Sequence, residues 1–369
     1  MFQPFSSRLE RLRDSLERKR IHAFLATNIV NVRYLSGFKG SSGAVLITKE
    51  KNVFITDFRY QEEAGRELTG IPWELSIEKG DRLRIIKEMI SDLGIRTLGF
   101  ESGVSYEFFQ GLSRCGARLS PLTGIVESLR TIKDHGEIRS IKEAVRKAEE
   151  AFLDVKPYIR PGRREREIAL MLEARLKKRG CNHLPFDIIV ASGVNSAMPH
   201  AKASDKKLSS GELVVIDWGG EAEGYCSDMT RTFLLRGTGC HGGRNVGVDI
   251  SRKEEIYQTV YKANRRAVSS VCPGCKSKGI DEVARNIIKN AGYGKFFGHG
   301  TGHGVGLEVH ESPRITWTRS DTISENMIFT VEPGIYIPGL GGVRIEDMVL
   351  VRPKGPEVLT RLPRDLEIL

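Results

Sequence analysis

The chain has 369 residues, 40% of them hydrophobic and 28% charged, and a formal net charge of +10, a length that predicts two domains. The N-terminus lacks the apolar core of a signal peptide and no stretch approaches the roughly 18 apolar residues of a membrane span, so we expect a cytoplasmic protein without a membrane partner. Six mostly isolated cysteines argue against a disulfide scaffold, and basic residues interspersed with acidic ones argue against nucleic-acid binding.

The N-terminal third predicts an α/β domain. Leu9, Leu12 and Leu16 are spaced as on one face of a helix. The short runs AFLAT, GAVLIT and NVFIT follow and are typical of strands. GDRLRIIKEMISDLG then predicts an amphipathic helix, TLGFE a strand, and the residues after it a short helix. We place the domain boundary so that residues 1–128 form the first domain and residues 129–369 the second.

The second domain contains an internal repeat. A long charged helix starts near Glu137 and ends before a Pro-Gly pair. The repeat shifts matched positions by 112 residues: Ala151 to Ala263, Pro161-Gly162 to Pro273-Gly274, and Ile168 to Ile280. Both copies predict helix, Pro-Gly turn and helix, and each is followed by a hairpin that contains two carboxylates. The repeat therefore predicts two related halves around a shared site.

Cys272 and Cys275 enclose the Pro-Gly turn of the second copy. The first copy has Arg160 and Arg163 at these positions. A redox motif of this spacing is expected at a strand-to-helix junction, so we interpret the cysteine pair as incidental.

Each hairpin is predicted to bring two carboxylates together. In ELVVIDWGGEAEGYCSDMTRTFLL, pairing about a turn near Ala222 and Glu223 places Asp217 directly opposite Asp228. In MIFTVEPGIYIPGLGGVRIEDMVLV, a turn near Gly339 places Glu332 opposite Glu346. Buried carboxylates need a partner or a metal. Four of them would offset the charge of two divalent cations.

The most glycine-dense segment, FGHGTGHGVG at residues 297–306, lies between the two hairpins. A phosphate-binding loop is disfavoured because the glycines alternate and no helix follows. Period-two geometry places His299 and His303 on one face, and places His310 on the opposite face unless a bulge or turn intervenes. We therefore expect this segment to supply a nitrogen ligand to an otherwise oxygen-rich site, a combination that favours Mn²⁺, Co²⁺, Fe²⁺ or Zn²⁺.

Over about residues 130–360 these motifs resemble the pita-bread metallopeptidases, the family of methionine aminopeptidase, aminopeptidase P and prolidase. The resemblance implies an α+β fold: a C-terminal pita-bread (creatinase/aminopeptidase-like) domain with a pseudo-twofold repeat, preceded by an α/β N-terminal creatinase-like domain. The metal ligands that it implies are Asp217 in VVIDWGG, Asp228 in GYCSDMTRT, His303 in HGTGHGVG, Glu332 in TVEPGIY and Glu346 in VRIED.

Further residues resemble the proline-specific branch of this family. They are His200 in ASGVNSAMPH, His299, His310 in LEVHE, and Arg344. Residues 22–64 also resemble the N-terminal domain of bacterial aminopeptidase P-like proteins. The implied activity is an Xaa-Pro aminopeptidase acting on proline-containing peptides, with Xaa-Pro dipeptidase (prolidase) as the alternative. A noncatalytic pita-bread interaction module is less favoured because the ligand set is intact. The family also implies a homodimer.

The resemblance assigns roles to these residues. It implies two divalent metal ions per subunit, Mn²⁺ first and Co²⁺, Zn²⁺ or Fe²⁺ as alternatives, with a bridging hydroxide as the nucleophile. Glu332 would also shuttle a proton and His310 would contact developing charge. His200, His299 and Arg344 would bind the substrate. Residues 237–250 are longer and richer in glycine than the usual link, and we expect His241 there to be a loop residue rather than a ligand.

Overall fold

The computed structural model describes residues 4–68, 73–236 and 244–369. His241 and the first half of the glycine-rich insertion, residues 237–243, lie outside the described residues. The chain divides into two compact units, Met1–Arg130 and Thr131–Leu369. Among the described residues, no helix combines the length and apolarity that a membrane span requires.

The first unit is a six-stranded mixed sheet with helices. Its elements are α1 (Pro4–Arg18), β1 (Ala23–Ala26), α2 (Ile29–Ser36), β2 (Ala44–Thr48), β3 (Asn52–Asp57), α3 (Gln61–Glu67), β4 (Trp73–Glu78), α4 (Arg82–Asp92), β5 (Thr97–Glu101), α5 (Tyr106–Leu112), β6 (Arg118–Leu122) and α6 (Ile125–Arg130). The strand order is β4-β3-β2-β1-β5-β6. Leu9, Leu12 and Leu16 are all buried, so the predicted helix face is confirmed.

Three short helices and two strands of this unit were not identified from the sequence. Helix α2 has only eight residues, too few for a clear hydrophobic period. It is defined by its ends, because the side chain of Asn28 accepts a hydrogen bond from the Val30 N–H and Gly37 closes the helix at φ 82°. The other four elements are α3, β4, β6 and α6.

In the part of the second unit that the structure describes, there are four long helices and two larger sheets. Its elements are α7 (His135–Val155), α8 (Glu165–Lys178), β7 (Ile189–Ser192), β8 (Leu213–Trp218), β9 (Glu221–Ala222), β10 (Tyr225–Cys226), β11 (Met229–Leu234), α9 (Arg244–Ser269), α10 (Ser277–Asn290), β12 (Gly302–Gly304), β13 (Glu311–Ile315), β14 (Ile328–Val331), β15 (Gly334–Ile337), β16 (Gly341–Arg344), β17 (Asp347–Arg352), β18 (Gly355–Val358) and β19 (Glu367–Ile368). The larger sheets have the orders β19-β11-β8-β7 and β13-β12-β14-β17-β18.

The helix pairs α7–α8 and α9–α10 confirm the predicted repeat. Ala151 and Ala263 are both fully buried. Gly162 and Gly274 adopt φ values of 90° and 86° in the two Pro-Gly turns, a conformation that suits glycine. Their N–H groups donate to the carbonyls of Leu208 and Ile323 at 2.9 and 2.8 Å. Each helix pair covers its own hydrophobic cluster, so the two halves have the same construction.

The cysteine pair occupies the turn between α9 and α10, as predicted. The Cys275 N–H donates to the Cys272 carbonyl at 3.3 Å across this turn. Cys272 is exposed and both thiols are free.

Candidate metal centre

The first carboxylate hairpin differs from its predicted register. Strand β8 pairs with β11 so that Thr230, not Asp228, faces Asp217. The turn consists of Glu223 and Gly224, at φ 51° and 78°, a two-residue loop one position later than predicted. The prediction of direct opposition is therefore wrong by two residues. Side chains alternate along a strand, so this offset leaves Asp217 and Asp228 on the same face.

The second hairpin has its predicted register. Val331 pairs with Asp347 and Gly334 pairs with Arg344. Glu332 and Glu346 therefore occupy facing positions between two paired segments, as the sequence predicted.

The histidine segment forms only a three-residue strand, β12, between β13 and β14. Glycine is required here: a Cβ at Gly302 would lie 1.8 Å from the Thr330 carbonyl oxygen, and one at Gly304 would lie 2.1 Å from that of Ser312. The β12–β13 register shifts between His303 and Gly304. The chain leaves β12 after Gly304 and turns back before β13 begins at Glu311. This turn brings His310 near His303, and the two ring centroids lie 4.3 Å apart.

Three of the predicted ligands form one buried cluster. Ligand atoms of Asp228, His303 and Glu346 all lie within 4.8 Å of one another. Glu332 joins them, since its Oε1 is 3.4 Å from His303 Nε2, and Asp228 Oδ2 is 3.6 Å from the same nitrogen. Two atoms that each coordinate one ion at about 2.0–2.2 Å are separated by roughly 3 to 3.5 Å. The spacing at His303 therefore suits a shared cation.

His303 is oriented for coordination through Nε2. Its Nδ1 lies 3.2 Å from the carbonyl oxygen of Gly304, a contact that requires Nδ1 to carry the proton. The lone pair of Nε2 then faces Asp228 and Glu332. Burial lowers the pKa of His303 to about 3, so the ring is neutral at physiological pH, as a metal ligand must be.

The carboxyl groups oppose each other's ionisation. Burial, and then the charges of Glu346 and Asp217, raise the pKa of Asp228 well above its ordinary value. Burial and the charge of Glu332 do the same to the pKa of Glu346. Burial raises the pKa of Glu332 to about 7, although Arg344 opposes the rise. A bound cation would relieve this repulsion.

Asp217 lies beside this cluster and is held by Arg344. The Arg344 Nη2 donates to Asp217 Oδ2 at 2.6 Å, and its Nε donates to the Thr230 hydroxyl at 3.0 Å. Thr230 in turn donates to Glu346 Oε2 at 2.7 Å. The other oxygen of Asp217, Oδ1, is buried and has no hydrogen-bond partner among the described residues. An unpartnered buried carboxylate oxygen beside three ligand atoms fits a metal centre.

One cavity of about 790 Å³ contains every predicted site residue. Its lining includes His200, Asp217, Asp228, His299, His303, His310, Glu332, Arg344 and Glu346. His200 and His310 are exposed in it. The Nε2 of His299 lies 3.0 Å from the hydroxyl of Tyr336, and burial lowers the pKa of His299 to about 4.

Three residues of this site were not predicted from the sequence. Tyr336 accepts a hydrogen bond from Arg344 Nη1 at 2.9 Å, Thr230 connects Arg344 to Glu346, and Arg314 lines the cavity. Strand alternation could have identified two of them, because Tyr336 is four residues from Glu332 and Thr230 is two residues from Asp228. Arg314 faces His303 across the bulged pair β12–β13, and nothing in the sequence predicted that register.

Comparison with known proteins agrees with this geometry. The sequence profile of metallopeptidase family M24 matches residues 139–353. The chain belongs to metallopeptidase family M24. Residues 8–132 match the creatinase/prolidase N-terminal domain.

Relatives of this M24 chain extend along its whole length. It is 36% identical over 365 residues to the Xaa-Pro dipeptidase of Pyrococcus horikoshii, covering 98% of this chain and 99% of that protein. Its structure is similar to the Xaa-Pro dipeptidase of Bacillus anthracis, with a TM-score of 0.92, 40% identity and coverage of 99% and 100%. It is also similar to the X-Pro aminopeptidase of Thermotoga maritima, with a TM-score of 0.86, 38% identity and coverage of 98% and 99%.

These findings confirm the predicted fold class. A creatinase-like N-terminal domain precedes an M24 pita-bread domain. The prediction of a metallopeptidase enzyme is also confirmed.

Proposed function

We propose that this M24 metallopeptidase hydrolyses the bond between an N-terminal residue and a following proline, and that the Xaa-Pro dipeptide is its preferred substrate. The buried cluster of Asp228, His303 and Glu346, with Glu332 at 3.4 Å from the histidine, supports the hydrolytic chemistry. The names of similar proteins support the bond, since they include Xaa-Pro dipeptidases and an X-Pro aminopeptidase.

Asp217, Asp228, His303, Glu332 and Glu346 would hold two divalent ions. Mn²⁺ suits this oxygen-rich set with one imidazole, and Co²⁺, Zn²⁺ and Fe²⁺ are alternatives. Such ions supply a water molecule of lowered pKa and a polarised carbonyl group.

The chain's own groups would handle the proton and the substrate. The proline nitrogen leaves only after it receives a proton, and the Glu332 carboxyl group faces the cavity beside His303. His310, exposed in the same cavity, would hydrogen-bond the developing charge. His200 and His299 would contact the substrate, with Tyr336 fixing the ring of His299 at 3.0 Å. Arg344 would act mainly by orienting Asp217.

Arg314 favours the dipeptide over a longer peptide. Its side chain is exposed, lines the cavity and lies across the bulged strand pair from His303. Among the described residues, no hydrogen-bond or ion-pair partner of its guanidinium is found. A free carboxylate directly after proline exists only in a dipeptide, and a guanidinium is a suitable partner for it. The aminopeptidase predicted from the sequence is the second candidate, supported by a cavity of about 790 Å³ that has room for a longer chain.

The decisive experiment compares Ala-Pro with Ala-Pro-amide, which lacks the carboxylate. Charge-assisted hydrogen bonds contribute about 1.5–3 kcal/mol, so the Mn²⁺-loaded enzyme should prefer the free dipeptide by about 10- to 100-fold in kcat/KM. Arg314→Met should abolish this preference. Arg166→Met should keep it, because Arg166 also lines the cavity but is paired with Asp205 at 3.1 Å.

Three other results would redirect the assignment. Equal cleavage of both substrates and of Ala-Pro-Ala-Ala would favour the aminopeptidase. A preference that survives Arg314→Met would remove that arginine from recognition. Cleavage of no peptide by metal-loaded protein would favour an interaction module.

We also expect, on the family resemblance, a cytoplasmic homodimer without nucleic-acid or membrane partners. Light scattering after size-exclusion chromatography would measure the assembly.

A further inference from the structure

Asn264 is a polar side chain at the hydrophobic interface between helix α9 and the glutamate hairpin. It is fully buried, on a helix whose buried apolar residues belong to the hydrophobic cluster of the α9–α10 half. Its side-chain Nδ2 donates to the carbonyl oxygen of Val331 at 2.9 Å and to that of Ile345 at 3.2 Å. Val331 precedes Glu332 and Ile345 precedes Glu346. One amide group therefore contacts the backbone immediately before each of the two facing glutamates.

The contact lies where the hairpin lacks a backbone donor. The register on either side of the gap, Val331 with Asp347 and Gly334 with Arg344, places Pro333 opposite Ile345. The Ile345 N–H donates to the Pro333 carbonyl at 3.5 Å. The reciprocal bond to the Ile345 carbonyl cannot form, because proline has no N–H. Asn264 supplies a hydrogen to this carbonyl instead.

The orientation of the Asn264 amide follows from its neighbours. Both atoms beside it are carbonyl oxygens, so the NH₂ group must face them. Its Oδ1 is then buried without a hydrogen-bond partner among the described residues. Burying an unpaired oxygen is unfavourable, and an aliphatic residue would avoid this cost. The two hydrogen bonds that the Asn264 amide donates offset this cost.

Among the described residues, no backbone hydrogen bond joins Glu332 to Glu346. The Glu332 N–H donates to the Thr301 carbonyl at 2.7 Å, and the Glu346 N–H donates to the Thr230 carbonyl at 3.1 Å. Each glutamate is thus tied to a neighbouring metal-site segment. Asn264 connects the backbone before each glutamate, at Val331 and Ile345, to helix α9.

We propose that Asn264 is a positioning residue that sets the separation of Glu332 and Glu346 for metal binding by supplying the hydrogen bond that Pro333 cannot donate. This inference rests on the metal-binding part of the proposed function. It does not depend on which peptide is cleaved.

The test measures Mn²⁺ affinity, from the electron paramagnetic resonance signal of free Mn²⁺ during titration of metal-free protein. Partners that orient metal ligands typically contribute 10- to 100-fold to affinity, so Asn264→Leu should weaken binding by about that factor. Asn264→Ala is the second variant, used where the leucine variant does not fold. If wild-type protein does not bind Mn²⁺, the choice of metal is wrong, and Co²⁺ replaces it with its visible absorption as the readout.

A second-site change separates positioning from packing. Pro333→Ala restores a backbone N–H opposite Ile345, so the double variant Asn264→Leu/Pro333→Ala should regain most of the lost affinity. Pro333→Ala alone is the reference for this comparison. Val260→Ala, a buried truncation one turn away on α9, should lower the thermal midpoint without changing affinity.

Two outcomes would overturn the proposal. One is unchanged metal affinity in a folded Asn264 variant. The other is a loss of metal affinity that adding Pro333→Ala does not recover, and that Val260→Ala also causes when it lowers stability by the same amount. Absence of peptidase activity in the wild type would instead bear on the proposed function.

Discussion

Glu332 is proposed both to coordinate a metal ion and to transfer a proton. Its Oε1 lies 3.4 Å from His303 Nε2, at ligand spacing, and burial raises its pKa to about 7. This pKa belongs to the metal-free protein, and a bound cation would lower it, because a cation stabilises the carboxylate form. The position of the carboxyl group beside His303, rather than its pKa, therefore suits Glu332 to both coordination and proton transfer.

Replacing the Glu332 carboxyl group should lower activity and leave the fold intact. Glu332→Gln keeps the shape of the side chain but cannot carry the transferred proton. We expect kcat on Ala-Pro to fall by about 10²- to 10⁴-fold at saturating metal, with the thermal midpoint of the protein retained. Glu325→Gln, at an exposed position of the same half, should have wild-type activity. An unchanged turnover rate for the metal-loaded Glu332 variant would exclude this residue from catalysis.

The candidate ligand residues could be predicted because their chemistry is visible in the residue types. Carboxylates and histidines beside apolar strand residues are unusual without a cation. Thr230 and Asn264 were not predicted, because a threonine in a strand and an asparagine in a helix carry no such signal. Their importance depends on which backbone groups lie nearby, and only the packed structure determines that.

At the scale of elements, the loop after β7 is fixed by one carboxyl group. Glu165, the first residue of α8, is fully buried. It accepts hydrogen bonds from the backbone N–H of Ser192 at 2.7 Å and of Ser204 at 3.1 Å. It also accepts from the Asn195 side chain at 3.1 Å. The loop that carries His200 is therefore closed at both ends by the same side chain.

Glu165→Gln should loosen this loop. An amide group cannot accept all of these hydrogen bonds, and each buried donor left unpaired costs about 1–3 kcal/mol. We expect a lower thermal midpoint and a KM for Ala-Pro raised by about tenfold, since His200 lies within the loop. Glu137→Gln is the matched control, a buried glutamate in the first turn of α7 that should lose stability without a change in KM. If Glu165→Gln and Glu137→Gln have equal KM values, Glu165 has no specific role in substrate binding.

Element types were more predictable from the sequence than element registers. The runs that became β1, β2, β3 and β5 were identified from their composition. The first carboxylate hairpin was misplaced by two residues, because GGEAEG offers several possible turns and the loop forms at Glu223 and Gly224. A two-residue error preserves the face of the sheet, so Asp217 and Asp228 were still assigned to one site.

At the scale of the whole second unit, the two halves concentrate negative charge between two hydrophobic clusters. The repeat made this visible from the sequence, since matched helix pairs precede both hairpins. In the metal-free protein the carboxyl groups resist ionisation, because burial and mutual repulsion raise the pKa values of Asp228, Glu346 and Glu332. The stability of that protein must therefore depend on pH.

The sign of this dependence follows from proton binding. Between pH 4.5 and 6.5 two effects oppose each other. The folded state binds extra protons on the carboxyl groups. The unfolded state binds extra protons on His299 and His303, because their folded pKa values are about 4 and 3 and the ordinary value is 6.5. Above pH 6.5 these histidines lose their remaining protons in the unfolded state, and by about pH 7.5 they are largely neutral in both states. The carboxyl groups then dominate, and each proton released on unfolding lowers stability by at most about 1.4 kcal/mol per pH unit.

The metal-free protein should therefore lose thermal stability as pH rises above about 7.5, measured by calorimetry after dialysis against a chelator. The Mn²⁺-loaded protein should show the opposite tendency, because ions bind the deprotonated ligands and so stabilise the fold more as pH rises. Asp228→Asn/Glu346→Gln is the control: it removes two of the titrating groups, so its metal-free slope should be shallower. A metal-free midpoint that rises over this range, or a slope unchanged in the double variant, would show that these carboxyl groups are already ionised in the folded protein.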